Sequence, residues 1–321
     1  MNAGARLGIY GLGLVVAFGG AFGIAGALVP DSAVAGWTKG SEMNGHQEGH
    51  GGSNATVAET EVATASALKG LSLGIDGYVL SPVQAPAAVG ESGELSFQIQ
   101  DADGDPVTEY TTAHDKDLHL IVARSDGSQF RHVHPVLDEA TGTWSLPWQW
   151  AEAGTYRVFA DFTTAGEAAS ALTLTRTVQV AGDFAPVAPE PARTAEVAGF
   201  TVSLEGEMVA GAPSELTISV ARDGEPVTAL EPYLGAFGHL VALREGDLAF
   251  LHVHAEGDEP KAGETAGPTI VFNAEAPTAG RYLLYLDFQV NGEVHTAEFV
   301  LDAAHGKGGT DSEGESHEDE H

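Results

Sequence analysis

The chain contains no cysteine, and only 3 of its 321 residues are methionine. The absence of cysteine excludes a disulfide scaffold, a cysteine-based zinc finger, an iron–sulfur protein and a thiol nucleophile. Cu(I) carriers prefer thiolate or thioether ligands, so this composition favours Cu(II) or Zn(II), or a Cu(I) site made of histidine alone. The missing sulfur ligands therefore limit which metals the chain could bind.

Basic residues are also scarce, because 14 Lys and Arg stand against 46 Asp and Glu, for a formal net charge of −32. Nucleic-acid binding needs a basic face that displaces counterions, and anionic lipid headgroups attract basic segments in the same way. We therefore expect no nucleic-acid partner. Hydrophobic residues make up 43% of the chain, which is enough for buried cores. The length corresponds to about two ordinary domains.

The uncharged run from Leu7 to Val29 would form a helix of about 34 Å, at about 1.5 Å per residue, long enough to cross a bilayer. Arg6 precedes the run and Asp31 is the first charge after it, so the positive-inside rule keeps the N-terminus cytoplasmic. We expect residues 1–35 to be a signal anchor of a single-pass cell-membrane protein whose bulk is extracytoplasmic. The alternative is a secreted protein, released by cleavage of a signal peptide near Ala35.

Composition divides the rest of the chain into four further parts and a tail. Residues 36–67 contain histidine and few large apolar side chains, which predicts a flexible linker. Residues 183–195 are proline-rich and form a second linker. The acidic, histidine-containing segment 303–321 is predicted to be disordered. Two domains are therefore expected, at residues 68–182 and 196–302.

These two domains are copies of one unit. Asp-Gly-Asp-Pro-Val-Thr at residues 103–108 recurs as Asp-Gly-Glu-Pro-Val-Thr at residues 223–228, an offset of 120 residues. Short segments in both copies alternate apolar and polar residues, as at Glu94–Gln100, and turn dipeptides separate them. About seven strands in about 110 residues are typical of an immunoglobulin-like sandwich. We predict an all-β protein with two tandem immunoglobulin-like β-sandwich domains after one N-terminal transmembrane helix.

Each copy carries three histidines around one predicted hairpin. If Asp126 and Gly127 form the tight turn of the first hairpin, His119 faces His134, and Ile121 faces His132. Opposed residues share one face of a hairpin, and so do alternate residues along a strand. Three imidazoles therefore converge on one patch.

The second copy repeats the pattern around Gly246 and Asp247, with His239 facing His254 and His252 diagonal to His239. Three imidazoles on one face are a common minimum for Zn(II) or Cu(II). Nitrogens more than about 6 Å apart could not share an ion through bonds of about 2.0–2.1 Å. The competing interpretation is a polar surface patch, or buried histidines bonded to backbone.

Asp161 and Asp287 recur inside apolar strands, at an offset of 126 residues. A carboxylate in such a strand needs a partner, because its burial without one is costly. It could complete a metal site, or it could accept a histidine N–H from behind the ligands. The alternative is a solvent-exposed Asp at a strand end. The predicted metal residues are thus His119, His132, His134, Asp161, His239, His252, His254 and Asp287.

No catalytic motif accompanies these residues. The sequence lacks a Gly-x-Ser-x-Gly elbow, a phosphate-binding glycine loop followed by Lys, and a helical His-Glu-x-x-His pair. We therefore predict a non-enzymatic, membrane-anchored extracytoplasmic protein that sequesters or delivers copper or zinc ions. The alternatives are a cell-surface scaffolding or adhesive protein with no metal role, and an accessory subunit of a membrane complex. The sequence does not indicate a protein partner.

Residues 103–108 and 223–228, each followed by a histidine-bearing strand, resemble extracytoplasmic immunoglobulin-like modules of the YtkA/FixH type. The segment Tyr233–His254 also looks like a module of membrane-anchored or secreted actinobacterial proteins. The resemblance covers residues of about 70–180 and 196–302. It implies a β-sandwich and an association with copper handling or oxidase assembly.

Overall fold

A computed structural model describes residues 68–166, 169–261 and 263–306. Every regular element in these ranges is a β-strand, which confirms the all-β prediction. The described residues belong to one compact unit, Ala63–His321. Within the described ranges, no helix has the length and apolar character needed to span a bilayer. The predicted anchor at Leu7–Val29, the linker at residues 36–67 and most of the tail lie outside them.

The first repeat consists of ten strands. They are β1 (Gly74–Ile75), β2 (Tyr78–Leu80), β3 (Ser92–Gln100), β4 (Tyr110–Thr111), β5 (Leu118–Arg124), β6 (Arg131–Val133), β7 (Val136–Asp138), β8 (Thr143–Gln149), β9 (Gly154–Thr164) and β10 (Ala171–Val180). One sheet has the order β1-β2-β3-β8-β7, and the other has the order β10-β9-β5-β6 with β4 on β9. All pairs within these sheets are antiparallel.

The second repeat has ten strands in a closely similar arrangement. They are β11 (Thr194–Val197), β12 (Phe200–Glu205), β13 (Pro213–Arg222), β14 (Glu225–Pro226), β15 (His239–Arg244), β16 (Phe250–His252), β17 (His254–Ala255), β18 (Thr269–Glu275), β19 (Gly280–Val290) and β20 (Glu293–Ala303). The sheets have the orders β11-β12-β13-β18-β17 and β16-β15-β19-β20. Apart from the short flanking strands, both repeats show the A-B-E-D and G-F-C order of an immunoglobulin-like sandwich.

Each sandwich has its own apolar core, and a third core lies between the two. Strand β5 shows how this arises, because all seven of its residues are buried. Leu120 packs into the core of the first repeat, whereas Ile121, on the opposite face, packs into the third core. We call this third cluster the inter-repeat core; its buried members are Ile121, Ala123, Phe159, Val241, Leu243, Leu248, Phe250, Leu283 and Tyr285. Sheets buried on both faces explain the near-continuous apolar runs of β5 and β15.

The turn after β5 is held against the second repeat, where the hydroxyl of Tyr285 donates a hydrogen bond to the carbonyl of Gly127. Gly127 has a φ of +85°, and an added Cβ would lie 2.1 Å from Cδ1 of Leu283. We expect Gly127→Ala to lower the free energy of unfolding by about 2–3 kcal/mol, from backbone strain and overpacking. Urea denaturation measures this loss.

Gly246 provides the matched control for that substitution. Its φ is +94°, yet an added Cβ meets no atom within 4 Å. Gly246→Ala should therefore cost only the strain of a left-handed alanine, about 1–2 kcal/mol. Equal losses in the two variants would mean that the contact between Gly127 and Leu283 does not restrict the inter-repeat core.

Candidate metal centre

The first hairpin has the predicted register. Strand β5 pairs with β6 so that Ile121 stands opposite His132. Strand β6 ends at Val133, yet Nε2 of His134 lies 3.2 Å from Nδ1 of His119. Nε2 of His132 lies 3.1 Å from the same atom of His119. The three histidines predicted for the first repeat therefore converge.

The second hairpin follows the prediction only in part. Val241 stands opposite His252, as the predicted register requires. His254 does not face His239, because it belongs to β17 and pairs with Asn273 in the other sheet. Val253 is buried in the core of the second repeat, and the chain changes sheets at this residue. The side chains of His252 and His254 lie outside the described part of the structure.

The two predicted histidine patches are not separate, since His239 joins the histidines of the first repeat. One imidazole nitrogen from each of His119, His132 and His239 lies within 4.8 Å of the other two. The rings of His119 and His239 are parallel to within 5°, with centroids 5.7 Å apart. We call His119, His132, His134 and His239 the histidine cluster. The histidine cluster is composite, because three of its members come from the first repeat and one comes from the second.

The alternation of side chains along β5 and β15 explains why His119 and His239 lie close together. His119 lies two residues before Ile121 on β5, and His239 lies two residues before Val241 on β15. Ile121 and Val241 both belong to the inter-repeat core, and alternate residues of a strand share a face. The histidines therefore continue the two apolar faces that pack against each other.

Hydrogen bonds fix the protonated nitrogen of two cluster members. Nε2 of His119 lies 3.1 Å from the carbonyl oxygen of Ala113, which can only accept. Nδ1 of His132 lies 2.8 Å from Oδ2 of Asp287, which accepts in the same way when ionised. If both rings are neutral, Nδ1 of His119 and Nε2 of His132 face each other with lone pairs. That pair of atoms repels unless a cation lies between them.

The surroundings of His134 keep its imidazole neutral, so that His134 could be a third metal ligand. Burial, together with the neighbouring His132, His119 and Lys116, lowers the pKa of His134 to about 3. Its imidazole is therefore neutral at pH 7, and a neutral ring can offer a lone pair to a metal. Tetrahedral bonds of about 2.0–2.1 Å put ligand nitrogens about 3.3 Å apart. The separations of 3.1 and 3.2 Å from Nδ1 of His119 are close to that value, although the group whose nitrogens all lie within 4.8 Å of one another is His119, His132 and His239.

The two aspartates differ in their partners. Asp287 is 3% exposed and contacts His132 of the other repeat, so the solvent-exposed alternative is wrong for Asp287. Its other oxygen accepts a hydrogen bond from Thr296 at 2.6 Å. Asp161 accepts a matching bond from Thr173 at 2.6 Å, and burial raises its pKa above the usual range. Asp287 is therefore placed to orient a histidine ligand from behind, as carboxylates do in many metal sites.

Sequence reasoning missed two neighbours of the cluster. The ring centroid of His114 lies 5.5 Å from that of His239 and 6.1 Å from that of His119. The ring centroid of Tyr233 lies 6.4 Å from that of His134. Both residues lie outside the repeated histidine pattern. His295, by contrast, is buried against Phe200 in the second core.

The fold and the site define a class of protein: a tandem of β-sandwiches that share an inter-repeat core and a histidine cluster. The chain belongs to the family described as Domain of unknown function (DUF8832), which matches residues 74–181 and again residues 195–305. Each match covers one sandwich. No curated protein matches the chain. The resemblance to YtkA/FixH-type modules stays a prediction.

Solved structures show only distant similarity. A Salmonella alpha-2-macroglobulin is 15% identical with a TM-score of 0.24, and the alignment covers 74% of this chain and 15% of that one. The Yersinia pseudotuberculosis adhesin InvE is 12% identical with a TM-score of 0.20, over 70% and 58% of the two chains. The D0–D1 domain of intimin is 12% identical with a TM-score of 0.21, over 71% and 97%. This chain thus spans a small part of the macroglobulin.

Proposed function

We propose that this protein binds a divalent transition-metal ion, Zn(II) or Cu(II), in the histidine cluster between its two repeats. Nitrogen ligands suit both ions, and the absence of cysteine favours them over Cu(I). The role would be sequestration or delivery of the ion. The net charge of −32 would also attract cations toward the protein.

One observation carries the proposal: Nε2 of His132 and Nε2 of His134 converge on Nδ1 of His119, while the opposite nitrogens of His119 and His132 are held by other groups. The carbonyl of Ala113 holds His119, and the carboxylate of Asp287 holds His132. Such bonds fix the tautomer and orientation of a metal-binding histidine and raise its basicity. The donors therefore point at one place before any ion arrives.

Calorimetric titration of the full chain with Zn(II) tests the proposal. We expect tight binding in the wild type and a loss of affinity of about 100-fold or more in His119→Ala, because the shared central donor is removed. His305→Ala is the matched control, since this histidine is exposed and outside the cluster. A wild-type isotherm in His119→Ala would rule out the histidine cluster as the binding site.

A second candidate is a surface scaffolding or adhesive protein without a metal role. The contact between His132 and Asp287 favours it, because this hydrogen bond joins the two repeats without any ion. The cluster would then only fasten the sandwiches together. Absence of tight Zn(II) and Cu(II) binding by the full chain would support this candidate over the first.

The membrane anchor and the extracytoplasmic location are part of the proposal and come from the sequence alone. They predict that the full chain, expressed in cells, fractionates with membranes. An accessory role in a membrane complex would use the same anchor. The composite metal site does not depend on either.

A further inference from the structure

Both repeats contain the same hydrogen bond between a threonine and an aspartate. Strand β20 places Thr296 opposite Asp287 on β19, and the hydroxyl donates to Oδ1 of the carboxylate at 2.6 Å. Strand β10 places Thr173 opposite Asp161 on β9, with a bond of the same length. Opposed residues of an antiparallel pair share one face of the sheet. The pairing of neighbouring strands within one sandwich is therefore sufficient to form each bond.

The aspartate and the threonine of the second repeat face the first repeat. Asp287 lies two residues after Tyr285 on β19, and alternate residues of a strand share a face. Tyr285 belongs to the inter-repeat core, and Val300, four residues after Thr296 on β20, packs against that core. The carboxylate of Asp287 therefore continues the apolar face that packs on the first repeat, and it meets His132 there.

The two oxygens of the Asp287 carboxylate are held by different groups. Oδ1 accepts from the hydroxyl of Thr296 at 2.6 Å, and Oδ2 lies 2.8 Å from Nδ1 of His132. The side chain of His132 is only 1% exposed, so bulk water does not reach this contact. A carboxylate that is held at both oxygens cannot rotate without breaking one of these bonds.

A fixed carboxylate determines which nitrogen of His132 can bind a metal. An ionised carboxylate only accepts hydrogen bonds, so Nδ1 of His132 must carry a proton. Nε2 then presents its lone pair 3.1 Å from Nδ1 of His119. If the carboxylate turned away, His132 could carry its proton on Nε2 instead, and that tautomer has no lone pair for an ion at this place. The hydroxyl of Thr296 thus favours the metal-binding tautomer through the carboxylate.

The two threonines differ in what lies beyond their aspartates. Loss of either hydroxyl would leave a carboxylate oxygen without that hydrogen bond, which costs stability. Loss of the Thr296 hydroxyl would in addition release the carboxylate that holds His132. Thr173 bonds to Asp161 instead. The first repeat therefore offers the same bond as an internal comparison.

We propose that Thr296 is a positioning residue of the histidine cluster: its hydroxyl orients the Asp287 carboxylate, which holds His132 with Nε2 directed at the metal ion. The inference rests on the proposed function, because it assigns a role in metal binding. Thr296 and Asp287 belong to the second repeat, whereas His132 belongs to the first. The second repeat would therefore supply His239 and also the support for a ligand of the first repeat.

Zn(II) calorimetry on the full chain with Thr296→Val tests this role, because valine keeps the branched shape and removes the hydroxyl. Partners behind metal ligands change affinity by about 10- to 100-fold, and we expect binding about 10-fold weaker, since Thr296 is one bond further away. Thr296→Ser retains a hydroxyl and should restore the affinity. Thr173→Val is the matched control, which should lower stability in urea to a similar extent and leave Zn(II) affinity unchanged. Equal losses of affinity in Thr173→Val and Thr296→Val would overturn the proposal.

A double-mutant cycle shows whether Thr296 acts through Asp287. In the Asp287→Ala background, Thr296→Val should cause no further loss of Zn(II) affinity, because the carboxylate that the hydroxyl orients is gone. A further loss equal to that in the wild-type background would mean that Thr296 acts by another route. That result would contradict the proposal.

Nitrogen NMR of the Zn(II)-loaded wild type requires no substitution that could impair folding. The ring proton of His132 should lie on Nδ1, with Nε2 bound to the metal. A proton on Nε2 would overturn the proposal. Wild-type affinity in Thr296→Val would reject the role of Thr296 and leave the metal site in place, whereas no Zn(II) binding by the wild type would reject the proposed function as well.

Discussion

Leu243→Asp is expected to lower the free energy of unfolding by about 4 kcal/mol or more, because it buries an unpaired charge in the inter-repeat core. Leu243 is fully buried there, on the same strand as His239. Separation of the two sandwiches would also remove His239 and Asp287 from the histidines of the first repeat. We therefore expect Zn(II) binding to weaken together with stability, although the substitution touches no predicted ligand.

Urea denaturation and Zn(II) calorimetry on the same samples measure both effects. Val136→Asp is the matched control, since it introduces the same charge at a valine that is 73% exposed. It should change stability by no more than about 0.5 kcal/mol. If Leu243→Asp prevents folding altogether, Leu243→Ala, with an expected loss of about 2–5 kcal/mol, still tests the coupling. Wild-type stability in both Leu243 variants would contradict the inter-repeat core.

Zn(II) at about a hundred times its dissociation constant is expected to raise the free energy of unfolding by about 2.7 kcal/mol. Because the proposed ligands and the carboxylate behind them come from both repeats, Zn(II) should stabilise both sandwiches against unfolding. Scanning calorimetry should therefore show one transition that moves to higher temperature as a whole.

His119→Ala is the variant that should abolish this stabilisation, and His305→Ala should leave it intact. The number of unfolding transitions that Zn(II) moves indicates whether the ion is bound by one repeat or by both. If the wild type shows two transitions and Zn(II) moves only one of them, the ion is bound within a single repeat. That outcome would contradict the composite cluster while leaving metal binding itself in place.

Local pattern predicted much of this architecture. Alternating residues predicted the strands, and the turn at Asp126 and Gly127 predicted the register that places His132 opposite Ile121. These features depend on neighbours in the chain, which a sequence displays directly. The repeat predicted two sandwiches for the same reason. The anchor at Leu7–Val29 stays a prediction.

What the sequence did not reveal was the packing of one repeat on the other. The alternation of β5 shows that Ile121 is apolar, but not which surface covers it. The histidine patches were consequently predicted as two separate sites, and the contact between His132 and Asp287 was not foreseen. His254 was placed in the wrong sheet, because the chain crosses between sheets at Val253. Long-range contacts of this kind leave no periodic signal.

The linker between the repeats has a consequence for how the histidine cluster assembles. The backbone N–H of Val187 donates to Asp126 of the first repeat, and Arg281 of the second repeat donates to the carbonyl of Pro189. A covalent tether of this length keeps its two ends at an effective concentration on the order of millimolar. Two untethered sandwiches would assemble such a site only above their dimerisation constant. This chain presents it at any dilution, so the proposed metal affinity should not depend on protein concentration.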